Sequence, residues 1–188
     1  MSDSVAPLGT ETFVGIAEIK PLGLQGLIAV RGDLQTQFLG DAIKQVMNIA
    51  IPGVRGVVFT GNDGVGWISP DELLLFCDHE KVAARVDELR ELLGDRHTLV
   101  LTVSDERVIF SVSGVRSREV MAKLCPVDFS PTEFTSGMIR RTRMAQIAAT
   151  IWLSKHDTFE IIVMRSVAQY AFDLLRVAAS EGSEVDLW

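Results

Sequence analysis

Apolar residues in the first half of the chain form short runs, which predict strands, separated by stretches in which they recur every three or four positions, which predict helices. The expected strands cover residues 27–31, 54–60, 73–77 and 98–103. The first helix is expected to begin after Asp33 as its N-cap and to end before Pro52. The second is expected to end at Gly94, and its apolar face consists of Val82, Val86, Leu89 and Leu93.

The second half repeats this strand–helix–strand–strand–helix order, without the final strand that closes the first half. Its expected strands cover residues 108–112, 141–153 and 158–164, and its helices cover 115–124 and the segment from Ser166 onward. Two short sequences also recur. Trp67-Ile68-Ser69 returns 85 positions later as Trp152-Leu153-Ser154, and Asp87-Glu88-Leu89-Arg90 returns 86 positions later as Asp173-Leu174-Leu175-Arg176. The agreement of spacing and element order indicates an internal repeat.

These patterns predict an α+β protein built as a tandem pseudo-repeat of two ferredoxin-like βαββαβ units with antiparallel sheets. The expected units are residues 20–104 and residues 105–180. An N-terminal segment, 1–19, precedes them, and an acidic tail, 181–188, follows them.

The charge balance and the cysteines argue against several classes of function. Eighteen basic and 25 acidic residues give a net charge of −7, whereas a nucleic-acid partner would need a surplus of Lys and Arg. Cys77 and Cys125 lack metal-ligand spacing, so a cytoplasmic location is expected. Residues 1–7 lack the features of a secretory signal, and the most apolar window, 145–153, is too short to span a membrane.

Groups that could carry out catalysis are scarce. There is no GxSxG motif, the three histidines are scattered, and the glycine-rich residues 61–66 lie between two predicted strands, where no helix N-terminus would meet a phosphate. Asp71, in the turn before strand 73–77, is a weak candidate for a general acid or base, and a turn role is the favoured interpretation. We therefore expect no metal and no cofactor on this chain.

The densest basic cluster is formed by Arg140, Arg141 and Arg143. Three interpretations stay open for it. The charges can protect a solvated strand edge from aggregation, or they can form a docking surface for an acidic partner. Nucleic-acid binding comes third, given the net charge and the single Tyr of the chain.

Two segments carry a resemblance to a known family. Trp67-Ile68-Ser69-Pro70-Asp71-Glu72-Leu73-Leu74-Leu75 resembles the WLSPDEWLL-type motif of the gamma subunit of heterotetrameric sarcosine oxidase. Residues 141–179, with Arg165-Ser166 at the start of the last helix, are similar to the C-terminal half of that family, and Arg31-Gly32-Asp33 also fits. The resemblance covers about residues 16–180. The family is itself distantly similar to the folate-binding aminomethyltransferases.

The resemblance implies an aminomethyltransferase-like fold and a non-catalytic gamma subunit in a flavin-dependent complex that oxidatively demethylates sarcosine to glycine. It implies alpha, beta and delta subunits as partners, with FAD, FMN, NAD and tetrahydrofolate bound by those subunits. Trp and Arg dominate the energetics of protein interfaces, so Trp67, Arg140, Arg141 and Arg143 are the candidate subunit contacts. The alternative is a small folate-dependent aminomethyltransferase-like enzyme that uses Asp71.

Overall fold

The computed structural model describes residues 11–187, so the expectations for the first ten residues and for Trp188 lie outside the described part of the chain. The described strands are β1 (Phe13–Val14), β2 (Glu18–Pro21), β3 (Gly26–Arg31), β4 (Val57–Thr60), β5 (Asp63–Ser69), β6 (Glu72–Cys77), β7 (Leu99–Thr102), β8 (Arg107–Ser113), β9 (Ile139–Met144), β10 (Ile147–Lys155) and β11 (Thr158–Met164). The described α-helices are α1 (Gln37–Met47), α2 (Val82–Leu93), α3 (Ser117–Leu124) and α4 (Ala168–Ala178). None of these helices is long and apolar enough to cross a membrane.

The chain divides into two compact units. Residues 25–105 form one, which we call the continuous unit, and residues 106–187 together with 11–24 form the other, which we call the split unit. In the continuous unit all strand pairs are antiparallel, in the order β4-β5-β6-β3-β7. Apart from the edge strand β4, this is the strand arrangement expected for a ferredoxin-like unit, with α1 and α2 packed on one face.

The sheet of the split unit has the order β9-β10-β11-β8-β2-β1, again with every pair antiparallel. Strand β2 pairs with β8 as β7 pairs with β3 in the continuous unit. The final strand that the second half of the sequence lacks is therefore supplied by the N-terminal part of the chain. The sequence pattern assigns residues 18 and 19 to an N-terminal segment and residues 20–24 to the first unit. In the structure all of them belong to the split unit.

One strand of the continuous unit, β5, is not predicted from the sequence, and two strands of the split unit, β9 and β10, are predicted as one. Gly64 and Gly66 gave β5 the composition of a loop. The first glycine is required, because a Cβ atom at Gly64 would lie 2.4 Å from the ring of Phe59, its cross-strand partner. The expected strand 141–153 is broken into β9 and β10 at Ala145, which has a φ of 49° and donates its N–H to the carbonyl of Leu124.

Helix α2 has the expected apolar face and ends at Gly94, as predicted. The start and the end of α1 differ from the prediction. The carboxylate of Asp33 accepts the N–H of Gln35 at 3.0 Å in a turn that precedes the helix, and Thr36 takes the N-cap position. The helix ends at Asn48, whose left-handed backbone (φ 54°) stops it four residues before Pro52.

Only one of the two recurring sequences follows the structural repeat. Hairpins β5–β6 and β10–β11 each contain a one-residue bulge before the turn, and aligning the bulges makes Trp67 correspond to Leu153, 86 positions later. Both of these side chains pack on the helix-covered side of their sheets. Trp152 is buried on the opposite face, because neighbouring strand residues alternate between faces. The tryptophan match is therefore one residue out of register, whereas the match at Asp87–Arg90 agrees with the structural repeat.

Replacing Ile19, which is 0% exposed in β2, by Ala should destabilise the protein by about 3 kcal/mol, because it leaves a cavity in the core of the split unit. Lys20→Ala removes an exposed side chain from the same strand and serves as the control, with an expected effect within about 0.5 kcal/mol. Urea unfolding followed by circular dichroism measures both. Equal effects of the two substitutions would show that β2 does not complete this core.

Candidate functional site

Asp71 lies in the turn between β5 and β6, where it is exposed. Its carboxylate accepts a hydrogen bond from the Ser69 hydroxyl at 2.6 Å, and its carbonyl accepts one from the N–H of Gly32 at 3.0 Å. Next to it, Glu72 forms an ion pair with Arg31 at 3.1 Å. These contacts hold the turn against the end of β3.

A groove of about 720 Å³ runs past this turn within the continuous unit. Its lining residues are Arg31, Gly32, Asp33, Pro70, Asp71, His97, Thr98 and Leu99. The lining mixes both signs of charge and contains no aromatic side chain other than the imidazole, so it offers little surface on which a flat heterocycle could stack. A polar ligand could enter it, but the groove presents no Ser, Cys or Lys nucleophile.

The two thiols are structural. Burial raises the pKa of the Cys125 thiol to about 12 and also raises the pKa of Cys77, where Arg85 acts in the opposite direction. Both side chains are therefore protonated at neutral pH and pack as small apolar groups. Within residues 11–187 no three His, Cys, Asp or Glu side chains are grouped so that they could hold a metal ion.

The basic cluster lies on β9, one of the two edge strands of the sheet of the split unit. Arg141 and Arg143 are exposed, and alternation along the strand places them on the face away from the helices. Arg140 points to the other face, where its guanidinium lies 5.4 Å from the centroid of the Phe134 ring. Only part of the cluster is therefore an exposed basic surface.

Trp67, a candidate subunit contact, does not lie in the turn before β6. It lies within β5, is half-buried, and packs against the core of the continuous unit. The WxSPDE motif could have indicated this position, because its turn residues, Pro70 and Asp71, come after the tryptophan.

One polar cluster of the split unit was not singled out from the sequence: the contacts that hold the C-terminal strap, which we define as residues 181–187. The carboxylate of Glu119, buried on α3, accepts the N–H of Val185. It also pairs with Arg116 at 2.9 Å and lies 3.6 Å from the ammonium of Lys123. The strap is thus fixed to the helix by a buried charge.

The two basic residues of α3 bind the strap as well. The Lys123 ammonium donates to the carbonyl of Ser183 at 2.5 Å and to that of Ala178 at 3.0 Å. Arg116 pairs with Asp186 at 2.6 Å. The spacing of Arg116, Glu119 and Lys123 on one helix face could have signalled a local charge cluster, but nothing local in the sequence shows that the cluster binds the tail.

Electrostatics stabilise the ionised form of Glu119. Burial acts to raise its pKa, but the Val185 N–H, Arg116 and Lys123 together lower the pKa below its ordinary value of 4.5. The stabilisation from Glu119 is therefore present at pH values above 4.5 and is lost as the pH falls through the lower pKa of the folded state.

The fold of the two units defines the class of the chain. It is similar to the glycine cleavage system aminomethyltransferase T from Bartonella henselae, with a TM-score of 0.63, 17% identity, and coverage of 86% of this chain and 46% of that one. It is also similar to a chain of the heterotetrameric sarcosine oxidase from Corynebacterium sp. U-96 in complex with pyrrole 2-carboxylate. There the TM-score is 0.82 at 23% identity, with 94% of this chain and 91% of that chain covered. The expected aminomethyltransferase-like α+β fold is confirmed.

The sequence then identifies the family. The model of the sarcosine oxidase gamma subunit family matches residues 31–181, and the chain belongs to that family. The sarcosine oxidase subunit gamma of Corynebacterium sp. (strain U-96) is 29% identical over 182 residues, which cover 97% of this chain and 87% of that relative. The resemblance read from residues 67–75 and 141–179 is confirmed.

Replacing Glu119 by Gln should lower the free energy of unfolding at pH 7 by about 2 kcal/mol. The substitution removes the negative charge that pairs with Arg116 and Lys123 and accepts the Val185 N–H. The difference from the unmodified chain should begin to shrink below pH 4.5 and should disappear as the pH falls through the lower pKa of Glu119 in the folded state, where protonation removes the same charge. Glu184→Gln on the exposed part of the strap is the control. Urea unfolding at several pH values tests this, and a pH-independent difference would contradict it.

Proposed function

We propose that the chain acts as the non-catalytic gamma subunit of a heterotetrameric, flavin-dependent sarcosine oxidase. The family match over residues 31–181 carries the proposal. It is supported by the fold shared over nearly the whole chain with a heterotetrameric sarcosine oxidase. The role of such a chain is to hold the assembly together through its surfaces.

The proposal extends to the rest of the complex. Alpha, beta and delta subunits are the partners, the complex is cytoplasmic, and those subunits bind FAD, FMN, NAD and tetrahydrofolate. The reaction is the oxidative demethylation of sarcosine to glycine. Two observations support a role without catalysis for this chain: its thiols are buried and protonated, and Asp71 is engaged in its own turn.

The same proposal includes the contacts with other subunits. Arg141 and Arg143 extend from the exposed face of β9 and suit an acidic surface on a partner. Arg140 and Trp67 contribute from half-buried positions. Residues 20–104 and 105–180 are proposed as the two repeats, with the strand exchange described above.

An affinity tag on this chain should recover flavin-containing subunits from its native cells, because the proposal places the chain in a stable complex. Charge reversal by Arg143→Glu should weaken the recovery several-fold, whereas Arg176→Glu on α4 of the same unit should have little effect. Recovery is measured by flavin absorbance of the purified fraction. Isolation of the tagged chain alone would contradict the proposal.

The Asp71→Asn variant should leave the sarcosine turnover of the purified complex unchanged, since the amide oxygen can still accept the Ser69 hydroxyl. The measurement is kcat and KM for sarcosine with oxygen uptake as the signal. A loss of kcat by a factor of about 100 or more, the size expected for a general acid or base, would instead support the folate-dependent alternative.

A further inference from the structure

The outer edge of β7, in the continuous unit, presents backbone groups that the sheet does not use. The Val103 N–H donates to the Leu27 carbonyl, so these two residues form a hydrogen-bonded pair. Such pairs alternate with non-hydrogen-bonded pairs along an antiparallel ladder. The backbone N–H and carbonyl groups of Val100 and Thr102 therefore point away from β3. The Val100 carbonyl accepts the guanidinium of Arg90 at 2.8 Å instead. Among residues 11–187 no strand lies beyond β7.

Two leucines are exposed along this edge. Leu99 is 45% exposed and Leu101 is 42% exposed, and both lie on the face of the sheet away from the helices. Edge strands are usually protected by charged residues or proline, so a pair of exposed leucines on such a strand is unusual unless another chain covers them.

In the split unit, the strand edge that is equivalent to the outer edge of β7 is paired with a further strand. Its strand β2 corresponds to β7, because Ile19 pairs with Val112 as Val100 pairs with Val30. The outer edge of β2 is occupied by β1, which adds antiparallel and places Phe13 opposite Ile19. At the positions of Leu99 and Leu101, strand β2 carries the exposed Glu18 and Lys20 instead.

The segment around β1 also fills the space beside the end of the neighbouring helix. Phe13 packs against the core of the split unit, and the N–H of Ile16 donates to the carbonyl of Ala179, just after α4, at 2.8 Å. By the repeat of 86 positions, Ala179 corresponds to Leu93 at the end of α2. In the continuous unit a cavity of about 190 Å³ lies at this place, lined by Arg90, Leu93, Gly94, Thr98, Leu99, Val100 and Leu101.

We propose that the edge of β7 is the docking site for an extended segment of a partner subunit. The segment adds as an antiparallel strand, as β1 does on β2, with an apolar side chain opposite Val100 that enters the cavity. Its neighbours on the other face are apolar and cover Leu99 and Leu101. The Val100 carbonyl can accept the incoming N–H and keep Arg90, because a carbonyl oxygen has two lone pairs.

This inference rests on the proposed function for the existence of partner subunits, and the geometry specifies where one of them binds. A short segment is sufficient, since β1 itself has two residues. Main-chain hydrogen bonds supply part of the affinity of such strand addition, and the side-chain pocket supplies the specificity.

Amide hydrogen exchange tests the strand directly. The N–H groups of Val100 and Thr102 should exchange at least about tenfold more slowly in the purified complex than in the isolated full-length chain, because they gain hydrogen-bond partners. Equal exchange in both would contradict strand addition. Slow exchange already present in the isolated chain would also contradict it, since residues 1–10 or a second copy would then cover the edge.

A matched pair of variants tests the side chains. Leu101→Lys should weaken assembly at least about tenfold, because it places a charge in an apolar contact. Val58→Lys, at a 45% exposed valine on β4 at the opposite edge of the same sheet, should assemble normally. Thermal unfolding of both isolated variants confirms that they fold. Normal assembly of Leu101→Lys would overturn the inference while leaving the proposed function intact, whereas failure of the unmodified chain to recover any subunit would overturn the proposed function.

Discussion

The split unit depends on the pairing of β2 with β8, which joins residues about 90 positions apart. Without β2 the strand β8 would end its sheet, and the core beneath it would lose Ile19. The continuous unit needs no such distant partner, because its own last strand, β7, pairs with β3. Two units with the same strand arrangement are thus completed in different ways, one by its own final strand and one by a strand from the start of the chain.

The local sequence pattern was sufficient to predict those elements that have a regular spacing of apolar side chains and a clear end signal. Helix α2, with apolar residues at regular spacing and a glycine after its last turn, could be predicted in full. Strand β5 could not, because Gly64, which makes room for the Phe59 ring, and Gly66 give the strand the composition of a turn. The role of β2 was hidden for another reason: four residues carry no local trace of a partner so far along the sequence.

The polar residues of the candidate site also differ in how far they could be predicted from the sequence. The turn role of Asp71 could be predicted from its neighbours, since the bonds that occupy it come from Ser69 and Gly32. The buried Glu119 could not, because its significance comes from a tail about 65 residues away that only the folded chain brings to α3. The repeat adds information that neither half contains alone, since the same strand position carries Glu18 and Lys20 in one unit and two leucines in the other.

The position of β2 also sets an order of events during synthesis. The strand leaves the ribosome before its partner exists, and at about 5 to 20 residues per second the roughly 85 residues up to β8 take roughly 4 to 17 s to be made. The whole continuous unit emerges in that interval and contains all the strands that its own sheet requires. Strands β1 and β2 are therefore made before β8 but find their places in the sheet only after it, and until then Ile19 lacks the core that buries it.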